Sequence, residues 1–166
     1  MDANELSLIL MRHGSYDDRE IPGGELTPLG IQEVELMAGV IASLGFQPNH
    51  IWHSGKRRAE QTAQLLSSRC GSVEPVERPG IEPGGDSRVF ADVLRSQIGQ
   101  LLVVSHLPFL ERLSGELLFQ MPDQQMIQFF PGSMLCLKRT DMDWHIKWFL
   151  HPDLIRENGA DCSDLL

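Results

Sequence analysis

The sequence predicts an α/β protein, a three-layer α/β/α sandwich around a mostly parallel central sheet. Two short apolar runs, Leu6 to Met11 and Leu101 to Val104, suit strands buried on both faces. Amphipathic helical segments alternate with the strand segments, as in parallel units whose helices cover the sheet.

The first run ends at Arg12-His13-Gly14. Gly14 permits a sharp exit, which leaves Arg12 and His13 at the carboxyl end of the strand, where open α/β sheets place their ligands. Tyr16 to Glu25 is polar, carries Pro22-Gly23-Gly24, and reads as a loop. Thr27-Pro28 reads as an N-cap followed by proline in the first helical position. The helix it opens, Leu29 to Leu44, is amphipathic, with Val34, Met37, Ile41 and Leu44 on one face and Gly45 placed to end it.

A short strand around Ile51-Trp52 ends at Ser54-Gly55, and a second helix follows with Ala59, Ala63 and Leu66 toward the sheet. Lys56, Arg57 and Arg58 stand at its start and oppose the helix dipole. Such a cluster is either a solvated basic patch or a place where a bound anion compensates the charge. Val73 to Val76 reads as a short strand and Arg78 to Asp86 as a loop. Asp86 or Ser87 caps a third helix through about Ile98, with Val89, Phe90, Val93 and Leu94 inside.

The second buried run ends in Ser105-His106-Leu107-Pro108, and a helix from Pro108 to Phe119 follows with Leu110, Leu113 and Leu117 in register. Met134 to Lys138 and His145 to Leu150 read as closing strands, a hairpin at a sheet edge around Thr140-Asp-Met-Asp. From His151 the chain is polar, and a frayed tail from about residue 152 is expected.

At 166 residues the chain is long enough to bury a proper core, and one domain over 1–166 is expected. Its net charge of −9 argues against general nucleic-acid binding, which rests on many basic contacts to phosphates. Any anion site must therefore be local. Cys70, Cys136 and Cys162 are far apart and in no metal-like spacing, so neither a zinc site nor a disulfide framework is expected. The acidic start lacks an apolar signal core, and no run of eighteen apolar residues occurs. A cytoplasmic protein with no membrane partner is the expectation.

Two buried strands thus end in a histidine, His13 and His106, and a third ends beside an arginine cluster. In a parallel sheet with right-handed crossovers these ends share one rim. Arginines suit bidentate recognition of phosphate, and a histidine can serve as nucleophile or as charged donor.

Together, Arg12-His13-Gly14, Leu26-Thr27-x-x-Gly30-x-x-x-x-Glu35, Ser54-x-x-x-Arg58-Ala59-x-Gln61-Thr62 and Ser105-His106 resemble the histidine phosphatase superfamily. The strings Arg58 to Thr62 and Val104 to Pro108 look most like its SixA-type phosphohistidine phosphatases, and the likeness runs from about Leu8 to Phe149.

The resemblance implies the phosphoglycerate mutase-like fold and a two-step phosphoryl transfer without metal or cofactor. His13 would be the nucleophile, and Arg12, Arg58 and His106 would hold the phosphoryl oxygens. Larger relatives place an acidic proton donor between the second arginine and the second histidine. Here Glu82 and Asp86 are the candidates, in a loop with no motif to fix either, and Glu82 is the one carried forward.

Arg69 to Asp86 is too brief for a substantial lid, so an open site is expected. That suits a phosphorylated protein substrate, a histidine phosphotransfer domain among the candidates, with inorganic phosphate as product. Two alternatives stay open: a small-molecule phosphomonoesterase of the same superfamily and an inactive phosphohistidine-binding scaffold. A Rossmann-like nucleotide module is disfavoured because G-x-G-x-x-G and a P-loop are both missing.

Overall fold

The computed structural model describes residues 5–19, 23–141 and 143–157. Strand β1 (Leu6–Arg12) lies near the middle of a six-stranded sheet with β2 (His50–His53), β3 (Pro75–Glu77), β4 (Gly99–Ser105), β5 (Met134–Thr140) and β6 (Asp143–Leu150). The order across the sheet is β3-β2-β4-β1-β5-β6. The first four strands run parallel, while β5 and β6 form the expected antiparallel hairpin at one edge.

The side-chain alternation of the two central strands divides the core. Ile9 and Met11 of β1, with Leu102 and Val104 of β4, face one apolar cluster. Leu6, Leu8 and Leu10, with Leu101 and Val103, face the other. A strand flanked by two apolar layers has no polar face, which is why both segments read as continuous apolar runs. Helices α1 (Pro28–Ser43) and α2 (Arg57–Arg69) cover the first face. Helices α3 (Ser87–Arg95) and α4 (Phe109–Phe119) cover the second, which completes the three layers.

The starts of α1 and α3 follow the predicted chemistry. The Thr27 hydroxyl accepts from the Gly30 amide with Pro28 in the first turn, and the Asp86 carboxylate accepts from the amides of Arg88 and Val89.

Several boundaries differ from expectation. Strand β3 is shifted to Pro75–Glu77, and α3 stops at Arg95. Val89 is 62% exposed, because α3 turns Phe90, Ala91 and Leu94 inward instead. Leu44 is the C-cap of α1 and exposed, with Gly45 beyond it at a positive φ.

The first part of the tail expected to fray from about 152 forms a short helix, α5 (Pro152–Glu157), and the rest of that tail, 158–166, lies outside the described residues. Ile155 is buried in the α1–α2 core, and Arg156 reaches the carboxylate of Glu33 at 3.6 Å. Burial of one isoleucine and this ion pair hold a segment whose composition alone signals none of it. Pro22 and Cys162 lie outside the described residues.

The order β2-β4-β1 positions the site. It sets Ser105 opposite Arg12 and Val104 opposite His53, so the segments leaving these three strands emerge together on the carboxyl rim.

Candidate active site

The four residues singled out at the strand ends, Arg12, His13, Arg58 and His106, are brought together on that rim. Arg58 Nε donates to His13 Nε2 at 3.2 Å. The His13 and His106 rings lie with centroids 4.8 Å apart. Arg12 Nη1 donates to the Phe129 carbonyl at 2.9 Å, which aims the guanidinium from the last residue of β1.

His13 is 3% exposed, and its Nδ1 lies 2.8 Å from the Gly14 carbonyl oxygen. A carbonyl can only accept, so Nδ1 carries the proton and Nε2 presents its lone pair. Burial pushes the imidazole down to about 4, opposed by the bond to Gly14 and reinforced by the charges of Arg58 and Arg12. At neutral pH His13 is therefore an uncharged base with its free nitrogen facing a guanidinium.

His106 is likewise buried and pushed down to about 3, first by burial and then by His13, Arg58, Lys56 and Arg12. At neutral pH it is therefore uncharged, not the charged donor that its sequence context allowed. Its Nε2 is hydrogen-bonded to the Ser54 hydroxyl, while Nδ1 is buried without a partner. Arg12 Nε is also buried and unpartnered. Burial lowers the Arg12 pKa, with Glu111 the largest opposing influence. A guanidinium nevertheless stays charged in proteins. Buried polar nitrogens without partners call for a physical account, and these two, beside the guanidinium groups of Arg12 and Arg58, suit an oxyanion ligand.

The loop after β1 is pinned from several sides. The Gly14 amide donates to Thr62 Oγ1 at 3.2 Å, and that hydroxyl donates to the Arg58 carbonyl at 2.7 Å, joining nucleophile loop and arginine through one turn of α2. Glu33, on the buried face of α1, accepts from the Ser15 amide at 2.8 Å and the Ser15 hydroxyl at 2.9 Å. A Cβ on Gly30 would lie 2.0 Å from the Ser15 carbonyl oxygen, and one on Gly14 would lie 2.5 Å from the Gly30 carbonyl oxygen. Both glycines are there because two backbones touch.

The basic cluster at the start of α2 divides. Arg57 pairs with Glu25 at 3.1 Å and Glu60 at 3.2 Å, and Lys56 is the N-cap residue. Only Arg58 turns toward His13.

Of the two acidic candidates, Asp86 is occupied as the cap of α3. Glu82 accepts from the Gly80 amide in its own loop at 3.0 Å. That loop is fastened next door by the Ser105 hydroxyl, which donates to the Ile81 carbonyl. No bond between either carboxylate and the histidines is present among the described residues.

Sequence reading gave no role to Ser54, Thr62, Glu33 or Tyr16. For Glu33 a signal existed: it falls on the same helical face as Gly30, Met37 and Ile41, where a carboxylate needs partners. Among the described residues no three His, Cys, Asp or Glu side chains cluster as metal ligands, and no helix is long and apolar enough to cross a membrane.

Two buried histidines flanked by guanidinium groups at the carboxyl ends of parallel strands define a site for a tetrahedral oxyanion. Residues 8–82 match the family model of the histidine phosphatase superfamily (branch 1).

It is 36% identical over 90 residues to the mitochondrial serine/threonine-protein phosphatase PGAM5 of Mus musculus, a match covering 53% of this chain and 27% of that protein. The Xenopus tropicalis protein of the same name is 37% identical over 69 residues, covering 40% and 25%. The chain spans about a quarter of the length of these curated relatives.

Among solved structures, the protein histidine phosphatase SixA complexed with tungstate superposes with a TM-score of 0.76 at 23% identity, covering 90% of this chain and 99% of that one. Phosphoserine phosphatase from Entamoeba histolytica, in complex with 3-phosphoglyceric acid, gives 0.69 at 19% identity, with coverages of 88% and 97%. These are likenesses of fold.

Proposed function

We propose that this chain is a phosphohistidine phosphatase that removes the phosphoryl group from a histidine on a protein, working through a phosphohistidine of its own. The observation that carries the reading is the His13 tautomer: Nδ1 bound to the Gly14 carbonyl, Nε2 unprotonated and accepting from Arg58.

In the first step Nε2 attacks phosphorus as the bond to the substrate nitrogen breaks, and the departing imidazole takes up a proton from solvent. Arg12, Arg58 and the His106 Nδ1–H donate to the phosphoryl oxygens, with Ser54 donating to His106 Nε2 to hold that tautomer. In the second step water attacks the phosphorus on His13. Inorganic phosphate leaves, and the Nε2 lone pair is restored. Positioning and fixed positive charge supply the stabilisation, so no metal takes part.

The substrate class rests on the leaving group. An alkyl phosphate expels an alkoxide and needs a placed acid, whereas phosphohistidine expels an imidazole whose conjugate acid has a pKa of ~6.5. With Asp86 committed to capping and Glu82 bound within its loop, phosphoramidates are favoured over alkyl esters. A general acid contributes about 10²- to 10⁴-fold, and that sets the expected discrimination.

The test is phosphate release from a phosphorylated histidine phosphotransfer domain, compared with alkyl phosphates under the same conditions. Equal turnover of the esters, with that ester activity removed selectively by Glu82→Gln, would overturn the reading in favour of a small-molecule phosphomonoesterase. Such an outcome has a structural route, since Glu82 adjoins the Ile81 carbonyl that is fastened beside His106.

A further inference from the structure

The loop leaving β1 also carries an aromatic side chain for which the reaction above has no use. The backbone of Tyr16 is held by an antiparallel bridge to Leu26. The Arg58 guanidinium carbon sits 4.0 Å from the centroid of its ring, and the ring meets His13 edge-on with centroids 5.4 Å apart and planes at 74°. Even so, Tyr16 is 39% exposed, so one ring touches the buried site and solvent alike.

We propose that Tyr16 determines specificity, its ring forming a wall against which a flat aromatic leaving group packs. The inference rests on the phosphoryl-transfer reading and follows from its geometry. An in-line displacement places the leaving group on the side of phosphorus away from His13 Nε2. His13 is enclosed behind, with its other nitrogen tied to Gly14, so the leaving group must point outward. Tyr16 contacts both the nucleophile and the arginine beside Nε2, and it therefore stands next to that outward path. Aromatic rings attract one another offset or edge-to-face with centroids 4.5–7 Å apart, and an alkyl chain gains less from the same surface. With Arg58 over the ring, the exposed part is what an imidazole would meet.

Two rival roles make different demands. A ring that only positions Arg58 serves every substrate equally, and a hydroxyl that donates a proton is lost in phenylalanine.

The experiment compares kcat/KM for wild type, Tyr16→Phe and Tyr16→Ala on four substrates: a phosphohistidine peptide, ring-free phosphoramidate, p-nitrophenyl phosphate and acetyl phosphate. Reading each variant against wild type on the same substrate cancels intrinsic reactivity, and the ring-free pair reports whether the variant is folded. Tyr16→Ala should lose about 3- to 10-fold more on the two ring-bearing substrates than on the ring-free ones. Tyr16→Phe should keep the wild-type ratio between the two classes. An equal loss on all four, no loss on any, or a loss of the ratio in Tyr16→Phe would each overturn the proposal. Absence of phosphohistidine turnover by the wild type would refute the substrate reading alone, and the p-nitrophenyl and acetyl phosphates would still decide the role of Tyr16.

Discussion

Acidifying the free protein tests the tautomer on which the chemistry depends. An ordinary histidine titrates near 6.5, but burial and two guanidinium groups bring His13 down to about 4. At pH 5.5 an ordinary imidazole would be about 90% protonated, whereas His13 should be only about 3% protonated. Two-bond proton–nitrogen NMR spectra report both quantities: which nitrogen bears hydrogen, and the midpoint of titration. His13 should hold the Nδ1–H form from pH 8 to about 5 and protonate near 4. Arg58→Ala should raise that midpoint only part of the way, because burial is the larger cause. Stability follows the same linkage. A base with a depressed native pKa binds more protons when unfolded, so stability is full above about 6.5 and declines as pH falls toward 4, with His106 extending the decline to about 3. A midpoint between 6 and 7, or an Nε2–H tautomer, would refute the argument that His13 stands ready as a neutral nucleophile.

Ser54→Ala removes the hydrogen bond that fixes the His106 tautomer, and a single such bond is worth about 1 kcal/mol, so kcat/KM should fall about 5- to 10-fold while the melting temperature moves little. Asp86→Ala should cost about 1 kcal/mol in denaturant melts through loss of the α3 cap, with activity toward phosphohistidine retained. Gly30→Ala drives a methyl group into the Ser15 carbonyl and should cost about 1–3 kcal/mol of stability, with a loss of turnover that exceeds the unfolded fraction. Exhaustive chelation should leave turnover unchanged.

The strand ends were legible in the sequence because burial on two faces demands apolar residues, and a polar pair such as Arg12-His13 then marks where the apolar run ends. The same logic found His106 at the end of β4. What could not be read were contacts that depend on strand order. Ser54 and His106 are far apart in sequence and meet only because β4 lies between β2 and β1. The three cations at the start of α2 looked equivalent, yet Arg57 is drawn off by Glu25 of the loop before α1 and by Glu60 of its own helix. Tyr16 was indistinguishable from its polar neighbours because the group its ring packs against, Arg58, lies 42 residues further on.

In a protein of net charge −9 the site gathers two guanidinium groups around two buried histidines. Two guanidinium groups beside two protonated imidazoles would repel one another where little water reaches them, and the cost is avoided by holding both histidines neutral. Neutrality serves the two rings differently. For His13 it leaves Nε2 with a lone pair, as a nucleophile requires. For His106 it leaves one proton to place, and the Ser54 hydroxyl can donate to Nε2 when an oxyanion draws that proton to Nδ1. A phosphoryl dianion reverses the sign of the field that both rings feel. The guanidinium charges that depress His106 are then balanced, and its affinity for protons rises when a donor is most useful. On the proposed reading, binding and protonation are coupled through Arg12 and Arg58: the charges that hold both histidines neutral are the ones a bound phosphoryl group would balance.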